Sequence, residues 1–212
     1  MKVLGIRNYP IEGLGYIKDV LENEGFKVNE VDALKLKGNE DFDALVIMGG
    51  PMGVYEADKY PFLKIEIELV KKAYKEGKRV FGVCLGSQLI SASLGGEVKP
   101  GTFGTEIGVY EIYNLSEFKE LLGEKIKVFQ WHGDTFTLPN GSNLLAYSNK
   151  YFQAFRAGKV LGLQFHLEVD SKMVKSWVEE YKGDKELVER VRENEEEFKR
   201  NAEKIIKWWL KI

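Results

Sequence analysis

The chain has one cysteine, Cys84, among its 212 residues, so no disulfide can close within it and a Cys-rich secreted scaffold is excluded. A reducing cytoplasm is the expected setting. Histidines are equally few. His132 and His166 lie far apart, and with no C-x-x-C pair the spacing of a zinc site is missing. Proline is scarce, and no Pro/Gly/Ser-rich stretch marks a linker between domains. Charge of one sign is not in excess: the formal net charge is −2, which gives no bulk field toward nucleic acid or an anionic membrane. The longest uncharged run, Val80 to Gly96, is interrupted by Ser87, Gln88, Ser91 and Ser93 and is too short and polar to span a bilayer. The opening residues Met1 to Ile6 lack the apolar core and cleavage site of a signal peptide. No G-x-x-x-x-G-K-[ST] phosphate loop occurs.

What remains is an ordinary globular composition, 44% hydrophobic and 30% charged, long enough for one domain with a sizeable core. Apolar runs at Lys2–Arg7, Phe26–Val31, Ala44–Met48 and Arg79–Val83 read as strands. They alternate with helical stretches at Gly13–Gly25, Pro61–Glu76 and about Gly86–Leu94. Strands apolar on both faces and separated by helices predict a parallel sheet covered on both sides. After Gly96 short strands follow closely, at Ile107–Tyr113, Lys125–Gln130, Asn143–Tyr147, Tyr151–Ala157 and Lys159–Phe165, with turn signals at Pro139-Asn140-Gly141 and Ala157-Gly158-Lys159. The expected fold is therefore α/β, a three-layer sandwich with a central, mostly parallel sheet and antiparallel additions in the second half. From Ser171 onward the chain reads as helical. Val188, Val191, Phe198, Ala202, Ile205 and Trp209 form a stripe that predicts a C-terminal amphipathic helix packed on its own domain.

The sharpest local signal is Gly82-Val83-Cys84-Leu85-Gly86-Ser87-Gln88, which follows an apolar strand and opens a helix. That is the context of a G-x-S-x-G nucleophile elbow with Cys in place of Ser. Flanking glycines suit a turn too tight for Cβ atoms, and the helix N-terminus favours thiolate over thiol. A thiolate that forms acyl intermediates needs a base. His166 ends an apolar strand and Glu168 follows two residues on, so an extended chain would present both on one face, with Glu168 orienting the imidazole. His132, in Gln130-Trp131-His132-Gly133-Asp134, is either a loop histidine with a local hydrogen bond or part of a substrate loop. Gly49-Gly50-Pro51-Met52-Gly53 follows another strand, at the sheet edge where ligands bind. A Gly-rich turn there can aim a backbone N–H at an oxyanion, with the N–H of Leu85 as a second donor.

With Gly49-Gly50-Pro51, the Cys84 elbow, Trp131-His132-Gly133-Asp134 and Gln164-Phe165-His166-Leu167-Glu168 in that order, the chain resembles the class I (triad) glutamine amidotransferases. The likeness spans roughly residues 40 to 170. Within the family it is most similar to stand-alone proteins related to the amidotransferase domain of GMP synthetase. It departs from the usual pattern at Leu167, where many members have Pro, and at Trp131, where GMP synthetases usually have Ser. The resemblance implies an amidotransferase domain over residues 1–182, with the C-terminal helix at 183–212. It implies a Cys84–His166–Glu168 triad and an oxyanion hole at Gly50 and Leu85, with Gln88, Gly133 and Asp134 near bound glutamine. The implied substrate is glutamine or another γ-glutamyl amide, and the implied partner is a separate synthase subunit that takes up ammonia. No metal or organic cofactor is required.

Three other readings are compatible with the residues. A stand-alone hydrolase of γ-glutamyl peptides would use the same triad. An esterase-like enzyme would take Asp134 as the acid, in the chain order Cys84, Asp134, His166. A non-catalytic regulatory subunit would keep the elbow as a vestige and dock a partner through its last helix.

Overall fold

A computed structural model describes all 212 residues. The first half alternates strand and helix: β1 (Lys2–Arg7), α1 (Tyr16–Asn23), β2 (Lys27–Asp32), β3 (Ala44–Ile47), α2 (Phe62–Lys75), β4 (Arg79–Val83) and α3 (Leu85–Ser93). Next come β5 (Val98–Pro100), β6 (Glu106–Asn114), α4 (Ser116–Leu122), β7 (Lys125–His132) and β8 (Asp134–Phe136). The chain ends with β9 (Asn143–Tyr147), β10 (Phe152–Ala157), β11 (Val160–Leu163), α5 (Ser171–Tyr181) and α6 (Glu186–Trp209). Nine strands form the central sheet in the order β2-β1-β3-β4-β11-β10-β9-β6-β7, and β5 pairs with β8 apart from it. The first five of that order are mutually parallel, and β10, β9, β6 and β7 are added antiparallel. The mixed α/β sandwich expected from the strand–helix alternation is the fold observed.

Period-two alternation explains the layers. Val3, Ala44, Val46, Phe81, Val83, Leu161 and Leu163 pack toward α1, α5 and α6, whereas Leu4, Ile6, Leu45, Ile47, Val80 and Val160 pack toward α2 and α3. The accessible surface, 9887 Å², matches the roughly 10,000 Å² expected when a chain of this mass buries one core.

Several boundaries differ from the sequence reading. α1 starts at Tyr16 rather than Gly13, because Gly15 takes a left-handed φ of 50° and packs its Cα against the Glu168 carbonyl. β11 stops at Leu163, and the chain bends through Gln164 and Phe165 to an isolated bridge between His166 and Phe129. The helical C-terminal region is two helices, broken where Lys182 turns left-handed with φ 53°. α4, β5 and β8 are additions that the sequence pattern did not predict. α6 places Val191, Phe198, Ala202, Ile205 and Trp209 in the core, so the apolar stripe packs on its own chain. No helix is long and apolar enough to cross a membrane.

α2 carries a buried anomaly. Glu66 is fully buried, and neither carboxyl oxygen has a hydrogen-bond partner of good geometry. Burial pushes its pKa up to about 8, with the neighbouring Asn8 amide offsetting part of that rise. The raised folded-state value means stability is fully present below about pH 4.5 and is lost as pH rises through about 8. Glu66→Gln is therefore expected to be near-neutral at pH 5 and stabilising by about 3–5 kcal/mol at pH 8. Urea unfolding midpoints of both proteins at the two pH values check this.

Trp209 anchors the end of α6. It is fully buried, meets Phe81 edge-on at 5.3 Å, and donates its Nε1–H to the Lys159 carbonyl at 3.1 Å. Trp209→Ala is expected to cost about 3–5 kcal/mol in the same unfolding measurement.

Candidate active site

β3, β4 and β11 deliver their C-terminal ends to one edge of the sheet, as parallel pairing requires, and the polar motifs meet there. Cys84 occupies the single residue between β4 and α3, with φ 52° and ψ −113°. That left-handed conformation is uncommon outside glycine and lifts the side chain out of the sheet. Both flanking glycines are sterically required. A Cβ on Gly82 would lie 2.6 Å from Gly86 backbone atoms, and one on Gly86 would overlap the Ile47 carbonyl. The turn thus presses α3 onto β3 and β4 and places Cys84 at the helix N-terminus, where unpaired N–H groups favour an anion. The cysteine is free and 6% exposed.

The bend after β11 brings His166 beside the elbow. His166 donates its Nδ1–H to Glu168 Oε1 at 2.7 Å, and Glu168 Oε2 accepts the Leu167 N–H at 3.1 Å. The expected approach of His166 and Glu168 is realised, but by a bend rather than by strand alternation. Both side chains are buried. Burial alone would lower the His166 pKa; the Glu168 carboxylate and Cys84 outweigh it, and the imidazole is raised well above its ordinary value. The edge of the ring packs on Trp177, with centroids 4.9 Å apart.

Asp134, the acid of the esterase-like arrangement, takes no part in that dyad. Its carboxylate accepts the Tyr55 hydroxyl at 3.1 Å, and its carbonyl accepts from His132 Nδ1 at 2.8 Å and Gln88 Nε2 at 3.3 Å. His132 Nε2 meets Glu106 Oε2 at 2.8 Å, and Gln153 donates to the same oxygen. Burial raises the Glu106 pKa, but the bonds from His132, Ser148 and Gln153 prevail and hold it below the usual carboxylate range. His132 is thus a buried brace for the turn that presents Gly133 and Asp134.

Gly50 N–H donates to no group in the protein, and Leu85 opens α3, where N–H groups lack intrahelical acceptors. Both stand beside Cys84, with Gly50 packed against the Leu85 side chain. A cleft of about 320 Å³ opens at this point. Gly50, Cys84, Gln88, Gly133 and Asp134 all line it, together with Tyr55, Trp131 and other neighbours. Gln88 also donates to Gln164 Oε1 at 3.1 Å, and Gln164 Nε2 points at Cys84 Sγ from 3.8 Å. Gln164 and Tyr55 are members of the site that the sequence reading did not assign. Gln164 opens the Gln164-Phe165-His166-Leu167-Glu168 motif, but only the fold aims its amide at the sulfur.

Residues 16–180 match the family model for glutamine amidotransferase class-I. Among curated relatives, a GMP synthase (glutamine-hydrolysing) from Prochlorococcus marinus strain MIT 9312 is 32% identical over 149 residues, 67% of this chain and 26% of that protein. A putative glutamine amidotransferase-like protein of Acanthamoeba polyphaga mimivirus is 31% identical over 65% of this chain and 63% of its own length. The chain thus spans about a quarter of the GMP synthases it matches and under two thirds of the viral protein. A solved glutamine amidotransferase from Thermotoga maritima superposes with a TM-score of 0.92 at 35% identity, covering 100% of this chain and 99% of that one. A glutamine amidotransferase from Methylobacillus flagellatus gives 0.90 at 26% identity, over 99% and 94% respectively.

Proposed function

This chain belongs to the class-I glutamine amidotransferase family, and we propose that it hydrolyses the side-chain amide of glutamine through a γ-glutamyl thioester on Cys84. The observation that carries this reading is an elbow cysteine on the wall of the cleft with a buried His166–Glu168 pair beside it. The thiolate of Cys84 attacks the amide carbon, and the carbonyl π electrons move onto oxygen. Backbone N–H groups of Gly50 and Leu85 hold that oxyanion; a donor of this kind is typically worth about 2.7–4 kcal/mol in the transition state. His166, cationic after taking the thiol proton, gives a proton to the departing nitrogen as the C–N bond breaks, and ammonia leaves. Water then attacks the thioester while His166 takes its proton, and glutamate is released with the thiolate restored. Glu168 fixes the imidazole tautomer and stabilises its charge. Asp134 and Gln88, with Gly133, form the wall against which the rest of the glutamine rests. The ammonia goes to an acceptor held by a separate synthase subunit, a role consistent with the GMP synthases among the relatives. A single reduced cysteine as nucleophile suits a cytoplasmic protein.

A second reading draws on the width of the cleft. With Tyr55 and Ile107 exposed at its rim, about 320 Å³ leaves room for a leaving group larger than ammonia. On that reading the chain hydrolyses γ-glutamyl peptides or amides alone.

Intact mass after incubation with 6-diazo-5-oxo-norleucine separates the two. One adduct is expected on the wild type, blocked by excess glutamine and absent from Cys84→Ser. No adduct, with Cys84 still open to small alkylating agents and γ-glutamyl peptides cleaved, would replace the first reading with the second. Glu168→Gln is expected to lower kcat by about a hundredfold or more, and Asp134→Asn by less; the reverse ranking in steady-state kinetics would move the acid's role to Asp134.

A further inference from the structure

A second carboxylate lies near the imidazole, on a segment outside the sequence motifs. Glu12 lies in the loop between β1 and α1 and is 6% exposed. Its Oε2 lies 2.5 Å from the point where a Cβ on Gly49 would sit, while Cys84 Cβ and His166 Cε1 lie 3.4 and 3.5 Å from the same point. Glu12 Oε2 and His166 Cε1 are therefore at most about 6 Å apart, within the range where one charge shifts the ionisation of another. The lack of a side chain at Gly49 is what admits the carboxylate. Gly49 has no left-handed φ, so backbone conformation alone does not demand glycine there.

The loop is held in place by α5. Tyr181 donates its hydroxyl to Glu12 Oε1 at 2.6 Å, and Trp177 Nε1–H donates to the Ile11 carbonyl at 2.9 Å. The Glu12 N–H bonds back to the Tyr9 carbonyl at 3.0 Å, and Tyr9 in turn donates its hydroxyl to Glu180. Trp177 also packs on His166, so one helix fixes both the acid and the ring it faces. The ionisable groups around Glu12 are Tyr181 and Tyr9, with Glu180 behind them, then His166, Glu168 and Cys84. Burial raises the Glu12 pKa, Glu168 adds to that rise, and the Tyr181 hydroxyl and His166 oppose it.

We propose that Glu12 is a positioning residue that, with Glu168, brackets His166 and favours its protonated form during amide cleavage. Glu168 holds the imidazolium through the Nδ1–H, and Glu12 does so by charge across Cε1, without a hydrogen bond to the ring. Gly49 thereby serves two neighbours, leaving its peptide free beside the oxyanion position and making room for the acid. The inference rests on the roles given to Cys84 and His166 above.

The test uses the histidine-labelled 212-residue chain, in which only His132 and His166 contribute ring signals and a His132→Gln variant assigns them. Glu12→Gln keeps an oxygen for the Tyr181 hydroxyl and removes the charge. The NMR titration of His166 is expected to show a proton affinity at least about tenfold lower in Glu12→Gln than in the wild type. A change under about twofold in the folded variant would overturn the proposal. Should Glu12→Gln fail to fold, Tyr181→Phe removes the donor that opposes the rise in the Glu12 pKa; a shift in the same direction supports the proposal and an unmoved His166 defeats it. In glutamine hydrolysis the alkaline limb of kcat/KM should move to lower pH in Glu12→Gln with KM little changed. A merely structural role would reduce the amplitude and leave the limb in place. The NMR result does not depend on turnover, so an inactive protein would count against glutamine hydrolysis without deciding the role of Glu12.

Discussion

The strand–turn–helix at Cys84 is the constraint on which the site depends. For the sulfur to stand clear of the sheet, Cys84 must hold a positive φ, and α3 must approach so closely that Gly86 lies against the Ile47 carbonyl. That contact locks the elbow to β3, whose own end carries Gly49 and Gly50. The proposed nucleophile and one proposed oxyanion donor are thereby fixed relative to each other by backbone packing rather than by adjustable side chains. The strain of one residue is borne by the parallel pairs β3–β4 and β4–β11 on either side.

The protein buries four carboxyl groups, Glu12, Glu66, Glu106 and Glu168, and treats each differently. Glu168 is matched by an imidazole and a backbone N–H. Glu106 is surrounded by donors and held in its charged form while it braces His132. Glu12 has one phenolic donor and the field of His166. Glu66 has no well-formed partner and is neutral until about pH 8. The contrast is one of donor supply at similar burial. Where donors converge the charge persists near the cleft; where they do not, the proton is retained and stability becomes pH-dependent.

The loop that carries Glu12 shows how much of the site is assembled from distant chain. The helical periodicity in the sequence begins at Gly13, just after Glu12. In the fold, Gly15 delays the helix to Tyr16, and the loop that precedes it lies between α5 and the Gly49 turn. No spacing rule links Glu12 to His166 or Tyr181, which are separated from it by most of the chain. Gln164 is a parallel case, since its amide points at the sulfur only because β11 ends one residue earlier.

The sequence by itself determined the layered α/β architecture, because apolar periodicity dictates which face each strand and helix must bury. It also determined the elbow, since Gly82, Cys84 and Gly86 are local neighbours whose spacing has one good steric solution. The nearness of His166 to Glu168 was legible for the same reason, although a bend and not a strand produces it. Tertiary structure alone decided which acids face the imidazole, which glycine leaves room for a carboxylate and which carboxyl group remains unpaired. Those outcomes depend on contacts between residues far apart in the chain. Periodicity reports the face a residue turns to the core, but not the partner it will meet there.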